Sequence, residues 1–307
     1  MSNNNEDNES SNSSKDVIKE EIKKQPYWHL LSFFTTYIGS YLLPGIIFFV
    51  YLIILFIPHV LNTTNIINLF TEILPLISLL LMPIVIIGGY LIHLFFSGLI
   101  TRYWWGVTEK DCPSKDGIIP RNIPSKTLNY YHIRSFMIKY PKNSVIKGPF
   151  PWLANWMFNF IGTNKIGKGT TIEEQACGAK FIEVGDNCYI GVNSILTSHL
   201  VEGIFGNIAY FKIKLGDNVT FSALNCIAPG TEINDNSYLL PLACTSKFNN
   251  LKGNNYYFGI PLRKIFTKKL QDFLKLTQED FSKDEELRKK QQQLKNKRSM
   301  DAGEGDK

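Results

Sequence analysis

His199 is the only histidine in the C-terminal half of this 307-residue chain, and it interrupts a regular pattern of apolar residues. Histidine is well suited to taking up a proton near neutral pH, because its unperturbed pKa is ~6.5. A carboxylate, Glu202, follows three residues later and could orient the imidazole or hold an amine. By position alone, both residues are equally consistent with an ordinary solvated loop.

The pattern that His199 interrupts has a period of six residues. Gly, Asp and Asn follow the apolar positions, as in VGDN, LGDN and INDN, and they tolerate the backbone angles of tight corners. A period of six therefore predicts short strands turned at regular corners. The apolar positions fall into two frames, with Gly178 as an exception: Ile166, Ile172, Val184, Ile190 and Leu196, then Leu215, Phe221, Ile227, Ile233 and Leu239. Grouped by threes, they predict coils that begin near Ile166, Val184, Leu215 and Ile233.

These repeats resemble the hexapeptide-repeat acyltransferase family, in which a left-handed parallel β-helix uses three hexapeptides per triangular coil. The resemblance covers about residues 161–265. It ends on YFGIPLRKI, which is similar to the Gly-x-Pro-Ala-Lys/Arg ending of many acetyltransferases, with Leu262 in place of Ala. The upstream segments SKTLNYYHIRSFMIKYP and WLANWMFNFIGTNKIG more loosely resemble the approach to the β-helix in the membrane-embedded terminal domains of some polylysine-type peptide synthetases.

The excursion SHLVEGIFGNIAYFKIK separates the two frames, since the distance from Leu196 to Leu215 is not a multiple of six. Insertions in repeat folds leave at corners and often form the binding face. The family resemblance implies a loop here that carries the general base for acyl transfer. It assigns that role to His199, with Glu202 as its candidate helper.

The resemblance also implies that the acyl donor, a coenzyme A thioester, binds on the coils after the excursion and between the chains of a homotrimer. Small residues there would let a pantetheine arm approach the backbone, and a basic pair could meet the phosphates. The small residues equally suit the coil corners, and the basic pair equally suits solvent or lipid. The candidates are Ser222, Ala223, Ala228, Gly230, Gly259, Pro261, Arg263 and Lys264.

No metal site is expected. The γ-type carbonic anhydrases use three histidines on this fold, but His29, His59, His93 and His132 all precede the repeats. The five cysteines are an odd number without paired metal-ligand spacing, so they are predicted to be free thiols, with Cys177, Cys188, Cys226 and Cys244 cytosolic.

Two long uncharged runs, Leu30 to Ile57 and Ile73 to Ile100, predict a transmembrane hairpin, since each exceeds the ~20 residues that cross a bilayer. Basic residues flank the outer ends of the hairpin and are absent from its tip, PHVLNTTNIINLFTE. The positive-inside rule therefore predicts a multi-pass membrane protein with both termini and the β-helix in the cytosol. The basic flanks are Lys15, Lys19, Lys23 and Lys24 before the hairpin, and Arg102, Lys110, Lys115 and Arg121 after it.

The remaining segments complete the predicted organisation. Residues 1–25 are polar and predicted to be disordered, 26–105 form the transmembrane hairpin, and 161–265 form the β-helix. Residues 106–160 mix aromatic and basic side chains, which predicts an interfacial segment that caps the first coil. Residues 266–307 begin with helical spacing, predicting a short helix before a polar tail.

The sequence leaves three functions open. The first is a membrane-anchored acyltransferase that moves an acyl group, such as acetyl, from coenzyme A to an amine or hydroxyl on a small molecule or lipid-linked acceptor. The second forms an amide from a carrier-bound aminoacyl thioester, and the third is a non-catalytic β-helix scaffold. A charge of +6 without a recognised binding motif favours lipid over nucleic acid as the partner.

Overall fold

The computed structural model describes residues 26–173, 180–204 and 206–265, with scattered residues from 275 to 293. The predicted disordered N-terminus, the predicted helix through Leu270, Phe273 and Leu274, and both Cys177 and Gly178 lie outside the described residues.

The helices precede the main sheets. A π-helical segment, Leu52–Leu61, continues α2, and single 3₁₀ turns span Gly39–Tyr41 and Pro151–Leu153. A short strand, β1 (Gly117–Ile119), follows the longest helix. The helices are α1 (Pro26–Tyr37), α2 (Leu42–Tyr51), α3 (Asn68–Thr71), α4 (Ile73–Asp111), α5 (Lys126–Met137), α6 (Lys139–Ile146) and α7 (Ala154–Ile161).

Two helical runs, Leu30–Leu61 and Ile73–Asp111, are long and apolar enough to cross a membrane, with mean hydropathies of 2.5 and 2.3. They pack side by side as an antiparallel pair. The Tyr51 hydroxyl donates to the Ser78 carbonyl at 2.7 Å, and the Trp104 indole donates to Thr35 Oγ1 at 2.9 Å. Only 17% and 11% of their most apolar windows is buried, so most of this apolar surface faces outward.

Helix α4 also packs against the helices that follow it. At 1.5 Å per residue it is about 58 Å long, roughly twice the thickness of a bilayer core. Its second half is buried against α5, α6 and α7. Arg134 of α5 fastens the end of α4, since its guanidinium donates to Thr108 Oγ1 at 3.1 Å and to the Thr108 carbonyl at 2.6 Å, and pairs with Glu109 at 3.3 Å.

The C-terminal half is built of short strands. In chain order they are β2 (Asn164–Ile166), β3 (Thr171–Ile172), β4 (Ile182–Val184), β5 (Tyr189–Ile190), β6 (Ile195–Leu196), β7 (His199–Glu202), β8 (Asn207–Tyr210), β9 (Ile213–Leu215), β10 (Thr220–Phe221), β11 (Cys226–Ile227), β12 (Glu232–Ile233), β13 (Tyr238–Leu239), β14 (Asn250–Leu251), β15 (Tyr256–Phe258) and β16 (Arg263–Ile265).

Apart from β7 and β8, these strands stack into three sheets whose neighbours come from successive coils. The first sheet has the order β14-β12-β9-β4-β2 and is parallel throughout. The second has the order β16-β15-β13-β10-β5-β3 and is parallel except for the final β15–β16 pair. The third pairs β11 with β6, and an isolated parallel bridge joins Cys226 to Cys244. In the first sheet Ile166, Val184, Leu215 and Ile233 are successive partners, which confirms the predicted coil starts.

The Gly-Asp-Asn corners explain the composition of the repeats. The Asp217 carboxylate accepts the Asp186 backbone N–H of the coil below at 2.8 Å, and Asp235 accepts that of Asp217 at 2.8 Å. Asn218 and Asn236 adopt positive φ angles of 56° and 55°, which asparagine tolerates better than most side chains. Their amides also hydrogen-bond to each other at 3.1 Å.

The interior of the coils is the main hydrophobic core. All ten apolar residues of the two sequence frames are buried, and Ile190, Leu196, Phe221, Ile227 and Leu239 are fully enclosed. Helix α7 continues this core through Met157 and Phe158 at the end of the first coil. Burial of each such side chain is worth ~1.5–3 kcal/mol, so the repeats hold the fold together.

Candidate functional site

The excursion at His199 is a β-hairpin, not the loop that the sequence predicted. Strand β7 pairs antiparallel with β8, and β8 pairs antiparallel with β1. The chain therefore leaves the coils after β6, adds a three-stranded sheet beside them, and returns at β9. Apolar residues of this sheet, Ile119, Ile208 and Tyr210, pack against Tyr131 of α5, which explains why the excursion is ordered as strands.

His199 begins the hairpin and faces α5. It is the register partner of Tyr210, so both side chains lie on the same face of the hairpin. The His199 ring meets the Tyr131 ring edge to face at 5.8 Å. Its Nδ1 atom is buried and has no hydrogen-bond partner among the described residues. Burial, with the positive charges of Lys180 and Lys142, lowers the pKa of His199.

Lys180 is a residue of this site that the sequence analysis missed. It is 2% exposed, and its ammonium donates to Ser135 Oγ at 2.7 Å and to the Tyr131 carbonyl at 3.2 Å. It lies 3.7 Å from the centre of the Tyr131 ring. Burial, with the nearby Arg134 charge, lowers the pKa of Lys180 to about 7. No sequence signal marked it, because a lone lysine at a coil corner is ordinarily solvated.

Glu202 is not brought to His199. Since side chains alternate along a strand, Glu202 lies on the opposite face of β7, three residues from His199. Its carboxylate pairs with Lys247, on a later coil. The structure thus gives Glu202 no contact through which it could orient the imidazole.

Four of the small donor-site candidates lie at two corners that border the third sheet. Ser222 and Ala223 follow β10, and Ala228 and Gly230 follow β11. Because Ile227 pairs with Leu196, the corner that begins at Ala228 lies beside the root of the hairpin. The candidate base, Ala228 and Gly230 therefore lie at one end of the third sheet, and Ser222 and Ala223 lie at its other end.

Gly230 has a structural reason to be glycine. Its φ is +75°, and a Cβ atom there would lie 2.5 Å from the Phe248 ring. The Phe248 ring in turn meets Phe211 edge to face at 4.7 Å, where the hairpin returns to the coils. This aromatic pair closes the corner around Gly230 and leaves the backbone itself in contact with Phe248.

The YFGIPLRKI ending turns the chain back on itself. Gly259 has a φ of +86°, and the bond between Ile260 and Pro261 is cis. Strand β16 then runs antiparallel to β15, with Arg263 opposite Phe258 and Lys264 opposite Tyr257. Arg263 and Lys264 are both exposed. Because they are adjacent in a strand, their side chains lie on opposite faces.

The thiols differ in environment. Cys188 is 2% exposed, and burial raises its pKa to about 11. Cys226 and Cys244 are half-buried neighbours on the third sheet, and Cys112 is also free. No group of three or more His, Cys, Asp or Glu side chains among the described residues could hold a metal ion.

No protein-family model and no curated protein sequence matches this chain. Among solved structures, it is similar to AntD, an N-acyltransferase from Bacillus cereus in complex with dTDP and 3-hydroxybutyryl-CoA, with 17% identity and a TM-score of 0.29, over 38% of this chain and 81% of that one. It is also similar to a hexapeptide-repeat acetyltransferase from Vibrio cholerae O1 biovar eltor complexed with acetyl coenzyme A, with 14% identity and a TM-score of 0.36, over 41% and 81%.

A third similar structure is a maltose O-acetyltransferase from Clostridium difficile 630, with 19% identity and a TM-score of 0.24, over 34% of this chain and 59% of that one. At TM-scores below 0.5 such likenesses carry no argument about this chain, so its fold rests on its own strand pairs. All three of these solved structures are acyltransferases, and one of them is a hexapeptide-repeat acetyltransferase.

Proposed function

We propose that this chain is a membrane-anchored acyltransferase that uses a coenzyme A thioester as donor, with His199 as general base. One observation carries the proposal: a stack of parallel coils gives way to a hairpin at a histidine that its surroundings keep neutral. A neutral imidazole near pH 7 is the form that can accept a proton. The family resemblance of the repeats supplies the reaction class.

The proposed reaction is a transfer between two heteroatoms. His199 takes the proton of an amine or hydroxyl as that group attacks the thioester carbonyl. The new C–N or C–O bond forms, the C–S bond breaks, and the coenzyme A thiolate leaves and takes up a proton. Because the pKa of His199 is lowered, the base stays neutral to a lower pH than an ordinary histidine, and the acid limb of the rate should fall below about pH 6.5.

We place the donor along the third sheet, between neighbouring chains of a trimer of left-handed β-helices. An apolar ridge on the outer surface of this sheet supports an interface between chains. It consists of Ile195, Leu224 and Leu242, which are 49%, 51% and 55% exposed. Leu224 and Leu242 also adopt positive φ angles of 55° and 62°, which disfavour leucine. A leucine that is both exposed and conformationally costly is better explained by a partner surface than by solvent.

We further propose that α4 and the preceding helical run cross the bilayer, with both termini and the coils in the cytosol. Their exposed apolar side chains support a lipid environment, and the absence of Lys and Arg from the hairpin tip supports this orientation. Such anchoring would hold the site near acceptors at the membrane surface, including lipid-linked ones.

The non-catalytic scaffold is the second candidate, and the position of Glu202 favours it. No carboxylate among the described residues orients His199, whereas such a partner is common for catalytic histidines. The remaining alternative, amide formation from a carrier-bound aminoacyl thioester, differs from the proposed reaction in its donor, so a donor comparison distinguishes the two.

The test measures acyl transfer to membrane extracts by the purified full chain, with acetyl-coenzyme A and carrier-bound aminoacyl thioesters as alternative donors. His199→Ala should slow transfer by ~10²–10⁴ while donor binding stays intact. His59→Ala, at the tip of the proposed transmembrane hairpin, is the matched control and should retain full activity. Glu202→Gln tests whether the ion pair between Glu202 and Lys247 contributes to the rate. Wild-type turnover in His199→Ala would end the catalytic assignment. Inactivity of the wild type with every donor would favour the scaffold.

A further inference from the structure

We infer that Lys180 is a positioning residue for His199, acting from beneath the hairpin through the Tyr131 ring that both side chains contact. The inference rests on the proposed function for its catalytic meaning. Its physical content, an interaction between a buried amine and an imidazole, can be measured in the resting protein.

Lys180 is an unusual buried lysine. Lysine is seldom fully enclosed unless an acid pairs with it, because removing an ammonium from water is costly. No ion pair joins Lys180 to an acid among the described residues, and the nearby Glu109 pairs with Arg134 at 3.3 Å. The Lys180 ammonium is held instead by neutral groups: the Ser135 hydroxyl, the Tyr131 carbonyl and the face of the Tyr131 ring.

The same elements hold His199. Its ring contacts Tyr131 edge to face, and its register partner Tyr210 has its ring 5.1 Å from the Lys180 ammonium. The residue before His199 fixes the relative position of the two segments, since Ser198 Oγ donates to the Lys180 carbonyl at 2.7 Å. The amine and the imidazole therefore border one aromatic cluster between α5 and the hairpin.

This arrangement has a direct electrostatic consequence. A positive charge beside the imidazole disfavours the imidazolium, and the imidazolium equally disfavours the ammonium. The lowered pKa of His199, to which the Lys180 charge contributes after burial, supports this coupling. The other titratable or charged groups around the pair are Glu109 of α4, Tyr131 and Arg134 of α5, Lys142 of α6 and Tyr210 of β8.

A purely structural Lys180 would anchor α5 without affecting the imidazole. The deciding measurement is an NMR titration of ¹³C-labelled histidine in the full chain in detergent. Lys180→Met keeps the length and removes the charge, so the pKa of His199 should rise by ~0.5–1 unit. Lys180→Arg keeps the positive charge, so the pKa of His199 should stay low. Lys165→Met removes an 84% exposed lysine as the matched control and should leave it unchanged.

Equal His199 titrations in Lys180→Met and Lys165→Met would overturn the inference. Should Lys180→Met not fold, the ¹³Cε signal of Lys180 in the wild-type chain decides instead: two inflections are expected, and a single one near the ordinary lysine value would overturn the inference. If transfer is also measurable, its acid limb should move to higher pH in Lys180→Met. A failed transfer assay with an intact Lys180–His199 coupling would count against the proposed function alone.

Discussion

The first and third sheets share one interior but present different outer faces. The outward positions of the first sheet carry Lys165, Glu183, Lys214 and Glu232, which form ion pairs between coils, as at 2.8 Å between Lys214 and Glu232. The described outward positions of the third sheet carry Ile195, Cys226 and Cys244, none of which is charged. Repetition thus fixes the scaffold, while the outward residues distinguish a solvated face from one suited to a ligand or partner.

The shared interior can be broken first, with the largest expected effect on stability. Phe221→Ala removes a fully buried ring at the centre of the coils, so the free energy of unfolding should fall by ~3–5 kcal/mol. Chemical unfolding of the detergent-solubilised chain measures it. Thr220→Ala, the adjacent outward residue, is the control and should cost less than ~1 kcal/mol. Similar losses in the free energy of unfolding for the two variants would contradict the position of Phe221 in the interior of the coils.

The apolar face can be altered without harming the coil. Asparagine accepts the positive φ of Leu242 better than leucine does, so Leu242→Asn should leave the free energy of unfolding of the single chain unchanged or higher. The same change removes an exposed apolar side chain from the proposed interface, so association should weaken by ~10–100-fold. Native mass measurement over a concentration series reports the association, and association equal to that of the wild type would exclude Leu242 from the proposed interface.

The reverse substitution tests the corner shared by the other two sheets. Asn236 has a φ of 55° and donates its amide to Asn254 at 3.0 Å. Asn236→Leu loses that hydrogen bond and strains the backbone, so unfolding should become easier by ~1–3 kcal/mol. Association should not change, because this corner is remote from the third sheet. Weaker association in Asn236→Leu would show that the corner at Asn236, like the corner at Leu242, affects association.

The repeats were readable from sequence because each coil obeys the same local rules. The rules are a buried apolar residue at every sixth position and Asn or Asp at the corners. They predicted the coil starts from Ile166 to Ile233, which the strand pairs confirm. The hairpin escaped prediction because its partners, Tyr131 and Ile119, are distant in the chain. Lys180 escaped for the same reason, since its burial depends on a helix some fifty positions earlier, and no local pattern records it.

The smallest expected effect is on the charged face. Lys214 and Glu232 are 53% and 45% exposed, so water screens their attraction, and Lys214→Met should lower the free energy of unfolding by less than ~1 kcal/mol. Glu232 raises the pKa of Lys214 by hydrogen bonding and charge. The pair's contribution is therefore complete below the unfolded lysine value of ~10.4 and is lost as pH rises through the folded value. It should also shrink in ~1 M salt, where the Debye length is ~3 Å. Unfolding curves of Lys214→Met and of the wild-type chain at two salt concentrations measure this. A salt-independent loss above ~2 kcal/mol would mean that this face is packed against something other than water.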